Sequence, residues 1–436
     1  MKRWPWWAGG GLFAVLAFWL LGGGWMAVRR VELAQKSWEE SFGSLDALVA
    51  RHPRAGANAT TVKLERLMQG LGIDLYARSR PTSPEQKAFA AIRAGLAAHV
   101  EAEAIARTDD PVPTVAPIED WLGAHAADID AIARHLVESE PPVWDEDLSR
   151  RFAAPLPRLT GLRQLQHILL AHALVHSRRG DGAGTERALR AAWIVNRALH
   201  ARAQVIAQLL VLATDRLQLG VLRRVSQPVA TWDDALAGLD FEGPMVEAFG
   251  AEAWTHLEEA RRDSMLWGGG RSMKTASYAA KAVLSPFVRP YARFCVAEYT
   301  DVLRATVLAL RTVDPCLVDP DAAVASVGLA SGGRLNMLLR MSRPQESAAR
   351  GWSEMLSRRL EAEMTRQVLR VRQRGAGEAG ALPSVPSAVC AGASWVHTVE
   401  PGGVVRIALD RPVLLKGTAA GKVKSPWQYE VKRRAD

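Results

Sequence analysis

The chain has 436 residues, 48% hydrophobic and 23% charged, a balance that belongs to a folded globular protein and excludes a disordered one. Its formal net charge of +9 comes from lysines and arginines scattered among acids. A nucleic-acid-binding protein concentrates such charge on one patch, so no DNA or RNA partner is expected.

The first thirty residues carry the clearest signal. Lys2 and Arg3 precede a run, 4–28, without an ionisable side chain, and Arg29 and Arg30 close it. A helix of that length crosses the roughly 30 Å hydrocarbon core of a bilayer. Trp4, Trp6 and Trp7 at one end and Trp25 at the other stand where an aromatic belt meets the headgroups. Phe13, Leu16, Phe18, Trp19 and Leu20 fill the apolar stretch between them. The exit Gly24-Trp25-Met26-Ala27-Val28 lacks the alternating small residues of a cleavage site, so residues 1–30 read as an uncleaved membrane anchor. The glycine triplets at 9–11 and 22–24 lie in this span and would let a second helix approach closely. Positive charges nearly balance across the span. With so short an N-terminal tail, the expected topology is a single-pass anchor in a bacterial inner membrane with a periplasmic body. The scattered basic charge beside it suits anionic lipid headgroups.

Residues 31–374 read as an all-helical body, with a potential subdivision near 267–273, where Trp267 is followed by three glycines. Val31, Ala34, Trp38, Phe42, Leu45 and Leu48 continue the helical period from the anchor to about residue 49, so the anchor is expected to enter the body as one rod. A short helix covers 61–70. Ser83 followed by Pro84 starts another, running to about 107. After a proline-rich link at 109–117, one helix spans 118–137.

The block 159–224 is strongly helical. His167, Leu170, Ala171, Leu174 and Val175 face inward from its first helix, Gly180-Asp181-Gly182 turns the chain, and Leu189, Ala192, Trp193, Asn196 and Leu199 face back. With Ala173, Gly180, Leu189 and Ala192 at small or apolar sites, this pair resembles a tetratricopeptide hairpin over about one repeat length. Thr185 stands where that repeat has its key alanine, and no second copy follows. Further helices are expected over 244–263, 274–284, 290–313 and 344–372. The last carries an apolar stripe of Trp352, Leu356, Leu360, Met364, Val368 and Val371, with arginines on its other faces.

A Gly/Ala/Pro linker at 375–388 ends the helical pattern, and residues 389–436 form a small β-element. Trp395, His397 and Val399 alternate, the turn Glu400-Pro401-Gly402-Gly403 follows, and Val405, Ile407 and Leu409 alternate back. Segments 412–416 and 427–431 are candidates for one strand each. The fold class is thus mainly α: an N-terminal transmembrane helix, a stacked or bundled multi-helix body, and a C-terminal β-hairpin or short antiparallel sheet. So small a β-element cannot stand alone, and it is expected to dock on the helices through Trp395 and Trp427. Cys295, Cys316 and Cys390 are too few and too dispersed for a zinc site. In an oxidising compartment a Cys316–Cys390 bridge would hold the β-element, with Cys295, inside the 290–313 helix, as the rival partner; three buried thiols without a bridge are the equal alternative.

Residues that carry chemistry are sparse. His172 and His176 lie at i, i+4 on one helix face, the spacing that chelates a metal, with His167 nearby and His200 a conceivable third ligand. An apolar helix also buries histidines without any metal, and no metal or other cofactor is expected. Asp145, Glu146 and Asp147 follow Trp144, and Asp233 with Asp234 and Glu258 with Glu259 form further pairs. Acid–base work requires burial that splits their pKa values, whereas helix starts explain such pairs through the helix dipole. There is no G-x-S-x-G elbow, and the glycines at 268–270 lack a P-loop's Lys-Ser/Thr. The expected function is a non-catalytic scaffold, assembly factor or accessory factor of the bacterial envelope. It would meet membrane lipid through the N-terminal helix and bind a partner protein. The alternatives are an envelope enzyme with an acidic or histidine-containing cleft, and a ligand-binding sensor. Oligomeric state is not legible.

Overall fold

The computed structural model of the chain describes residues 11, 14–75, 83–225, 231–262, 278–328, 344–374, 383–415 and 427–432; of 278–285, 326 and 328 it describes only the backbone. Trp4, Trp6, Trp7 and Phe13 of the anchor, the 267–273 joint and most of the 375–388 linker lie outside the described residues. The protein is mainly α with a small antiparallel sheet at its C-terminal end.

Helix α1, Ala14–Phe42, is long and apolar enough to cross a membrane. It does not run on to residue 49. Ser44 accepts a hydrogen bond from the Ala47 N–H and caps a separate helix, α2, Leu45–Arg51. Leu45 and Leu48 keep the apolar period but belong to a new axis. Helix α3 is Ala59–Gly70, capped by Asn58, and α4 is Pro84–Ile105, started by a Ser83–Gln86 capping box with Pro84 in its first turn. The expected single helix over 118–137 is broken at His125 into α5, Ala116–Ala124, and α6, Ala126–Glu138.

Helices α7 (Leu159–Arg178), α8 (Gly182–His200) and α9 (Val205–Arg224) make the centre. Helix α7 is buried on nearly every face between α4, α6, α8 and α9, from Leu162 to Leu174. Helices α10 (Thr231–Ala237) and α11 (Glu242–Arg261) follow. The two helices expected over 274–284 and 290–313 are one, α12, Tyr278–Arg311, with Pro286 and Pro290 inside it. It lies beside α1 in the same direction, Phe287 level with Trp19 and Asp301 with Arg30. The Trp19 indole donates to the Phe287 carbonyl at 2.8 Å, next to the turn that the prolines weaken. Helix α13, Pro320–Gly328, has no counterpart in the sequence reading, and α14 is Pro344–Gln373.

Among the described residues the core has three clusters, and α14 reaches all of them. Trp352, Met355 and Leu356 join α1, α11 and α12; Ala362 and Leu369 join the α3–α10 cluster; Leu360, Met364, Val368 and Val371 meet the sheet. That sheet has the order β1 (Val385–Pro386), β2 (Ser394–Val399), β3 (Val405–Leu409), β4 (Gln428–Val431), antiparallel throughout. Strand β1 falls inside the expected linker, an edge position where proline costs no ladder bond. Residues 412–415 form no strand. Trp395 is fully buried, Trp427 is partly buried, and the Trp395 indole donates to Glu363 Oε2 on α14 at 2.9 Å. Glu363 Oε1 accepts from the Ala388 N–H at 2.8 Å, so one carboxylate clamps β2 and the loop that leads into it from β1.

Candidate functional site

Two clusters of buried polar groups stand out. The first is an ion-paired seam where the sheet meets the helices, its arginines outnumbering its acids. Glu361 of α14 pairs with Arg223 of α9 at 2.6 Å and with Arg107, just past α4, at 3.0 Å. Burial alone would raise the Glu361 carboxyl, but Arg223, Arg107 and Arg358 outweigh it and hold the group down at about 2. Alongside, Glu103 accepts from Arg224 at 2.7 Å and pairs with Arg178. Asp109 pairs with Arg372 and accepts from the Tyr429 hydroxyl at 3.0 Å and from the Lys432 N–H at 2.9 Å. Each acid is matched by a base, and the whole joins α4, α9, α14 and β4. Its arrangement accounts for packing rather than chemistry.

The second cluster lies between α6, α7 and α8. His172 is buried one turn before His176, and their Nε2 atoms are 2.9 Å apart. Asp130 of α6 brings Oδ1 to 3.0 Å from His172 Nε2 and 3.6 Å from His176 Nε2. On the other side of the ring, His176 Nδ1 is 2.7 Å from Oδ2 of Asp181, whose Oδ1 accepts from the Gly184 N–H and caps α8. A carboxylate only accepts, so Nδ1 of His176 donates to Asp181, and Nε2 is turned toward His172 and Asp130. The His172 imidazole is held below its usual pKa chiefly by burial, against the Asp130 hydrogen bond. Among the described residues, Asp130, His172 and His176 form a group of ligand atoms all within 4.8 Å of one another.

The remaining sequence candidates are placed elsewhere. His167 and His200 do not join this group; burial lowers each to about 4. The acidic run serves its own loop: Asp145 accepts from the Ala57 N–H at 2.9 Å, Glu146 exchanges backbone bonds with Ala55, and Asp147 faces Arg54. Asp233 accepts from Arg366 and Arg370 of α14 at 2.9 and 3.1 Å. Glu258 pairs with Arg261 and Arg262, and Glu259 with Arg151. Cys316 and Cys390 are joined, with Cα atoms 5.5 Å apart, while Cys295 is buried and outside the disulfide. Within the anchor, Phe18 and Trp25 are exposed; Leu16, Trp19 and Leu20 are half-buried, with Trp19 against α12.

Sequence reasoning missed Asp130, which is 42 residues from His172 on another helix and carries no local signal. Asp181 was legible as a turn residue, but its bond to His176 was not. No family model, no curated protein and no solved structure matches this chain.

Proposed function

We propose that the chain is a membrane-anchored helical scaffold on the periplasmic side of a bacterial inner membrane, positioning a partner protein of the cell envelope. The observation that carries this reading is the continuity of α1. Its first half leaves Val15, Phe18, Leu21 and Trp25 66–77% exposed, while Ala27, Val31, Ala34 and Trp38 in its second half are buried against the body. No charged side chain lies between residues 14 and 28, so the natural cover for the bare half is lipid. A flexible linker would suffice for mere tethering. A helix bare on one half and built into the core on the other fixes the height and tilt of the body, as positioning a partner requires. The Cys316–Cys390 disulfide supports an oxidising compartment.

The test has three arms. After carbonate washing of membranes the protein should remain in the pellet, and release as a soluble form would defeat the anchor. Alkaline phosphatase fused at the C-terminus should be active, and an inactive fusion would put the body in the cytoplasm. Mild-detergent purification from native membranes should retain a stoichiometric envelope protein. Extraction of the chain alone would remove the scaffold reading.

A further inference from the structure

We propose that Asp130, His172 and His176 bind a divalent transition-metal ion of the zinc class, with Asp181 fixing the orientation of His176 from behind. The three residues converge in this way on whichever side of a membrane the body lies.

Zinc bonds imidazole nitrogen at about 2.0–2.1 Å, so ligand atoms around a tetrahedral ion stand about 3.3 Å apart. The three separations here are 2.9, 3.0 and 3.6 Å, which bracket that edge length. The ring orientation points the same way. His176 Nδ1 is turned to Asp181 at 2.7 Å, which aims its Nε2 at His172 Nε2 and Asp130, so two imidazole nitrogens and a carboxylate oxygen converge on one point. A cation takes a lone pair from every corner of that triangle. Asp130 is one-third exposed, which leaves a fourth position open toward solvent.

The backing of the site is itself shaped. Asp181 behind His176 repeats the carboxylate–histidine arrangement that raises ligand basicity and fixes the ring in metal centres. Gly184 makes room for it: a Cβ there would fall 2.4 Å from both His176 Nδ1 and Asp181 Oδ2. The type of ion follows from the ligands. Two neutral imidazoles and one carboxylate suit zinc, cobalt or nickel rather than calcium or magnesium, which want more oxygen ligands. Arg179 and Arg187, whose charges act on His172 and Asp181, further disfavour an ion held by charge alone.

The experiment uses the full chain in detergent, without a polyhistidine tag, stripped with a chelator and titrated with Co²⁺ and then Zn²⁺. One equivalent of Co²⁺ should give the intense visible absorption of a tetrahedral site, bleached by stoichiometric Zn²⁺. His176→Gln and Asp130→Asn should each weaken binding at least about 100-fold, and Asp181→Asn about 10- to 100-fold. Gly184→Ala should act like Asp181→Asn. His172 is buried, so a His172→Ala variant that fails to melt cooperatively leaves the decision to His176→Gln at the rim. Absence of Co²⁺ and Zn²⁺ binding to the wild-type chain in calorimetry overturns the proposal. So does wild-type affinity in the folded His176→Gln variant.

Discussion

Helices α1 and α9 both pass as membrane spans by length and composition, yet 17% of the apolar window is buried in α1 and 67% in α9. The difference lies in their few polar groups. Helix α9 carries Gln208, Thr214, Asp215, Gln218 and Arg223, all buried, and the body supplies a partner for each. Gln208 donates to the Arg202 carbonyl at 2.6 Å, Thr214 to Asn196 Oδ1 at 2.6 Å, and Gln218 to the Leu189 carbonyl at 3.1 Å. Both carboxylate oxygens of Asp215 accept from one Arg197 nitrogen, Nη2, at 2.6 Å, and Arg223 meets Glu361. Residues 14–28 of α1 hold no polar side chain except two indoles, and one of these, Trp19, packs against α12. Hydropathy sorts neither helix; the location of hydrogen-bond partners does, because lipid offers none.

If α9 is held by partners, removing one should be severe. Glu361→Ala should cost about 3–5 kcal/mol in denaturant unfolding, since Arg223 would be left buried and uncompensated. A loss below about 1 kcal/mol would show that the seam is replaceable. In α1 a new charge should do the opposite. Phe18→Asp should weaken membrane partition by about 2.5–3.5 kcal/mol while leaving the melting of the body unchanged. A body that loses stability with this substitution would make Phe18 part of a protein interface instead. Packing separates the helices again at Gly220, where a Cβ would fall 2.4 Å from the Ala104 backbone of α4. Gly220→Val should therefore destabilise by at least about 1–3 kcal/mol, read by thermal melts. The same change at Gly24, with open space around it, should leave those melts alone.

The comparison also marks what a sequence can disclose. The α1 signal needs no tertiary knowledge, and neither do Ser83–Pro84–Gln86 at the start of α4 or the alternation of β2 and β3. Breaks within a continuing apolar period were not legible: Leu45 and Leu48 fit the stripe of α1 and sit on α2. Pro286 and Pro290 misled in the other direction, because α1 packs against α12 and the Trp19 indole takes up a carbonyl near the weakened turns. Strand β1 was hidden by Pro386, which only an edge accepts. At the candidate site, His172 and His176 announced themselves by spacing. Asp130 did not, since its place is set by how α6 packs on α7 and α8, and that depends on side chains far from all three residues. Cys316 and Cys390 could be named as a pair, but only the docking of the sheet on α14 brings them together.

The smallest effect expected is at Asp233, on the rim of the α10–α14 contact, and it tests whether partnering matters equally at the surface. Partial burial there opposes ionisation; the hydrogen bonds and charges of Arg366 and Arg370 together outweigh it and hold the carboxyl below its usual range. A carboxylate whose folded pKa lies below its unfolded one stabilises the fold only while ionised. Its contribution is therefore complete above the ordinary carboxylate pKa of about 4 and fades as pH falls through the lower folded value. Asp233→Asn should cost about 1 kcal/mol or less at neutral pH, because water competes for both arginines. The gap between wild type and variant should close on acidification, measured by urea unfolding at stepped pH. A gap that stays constant or widens toward acid would mean that Asp233 acts through shape rather than charge. A neutral-pH loss as large as that of Glu361→Ala would erase the distinction between buried and surface partners on which the contrast of α9 with α1 depends.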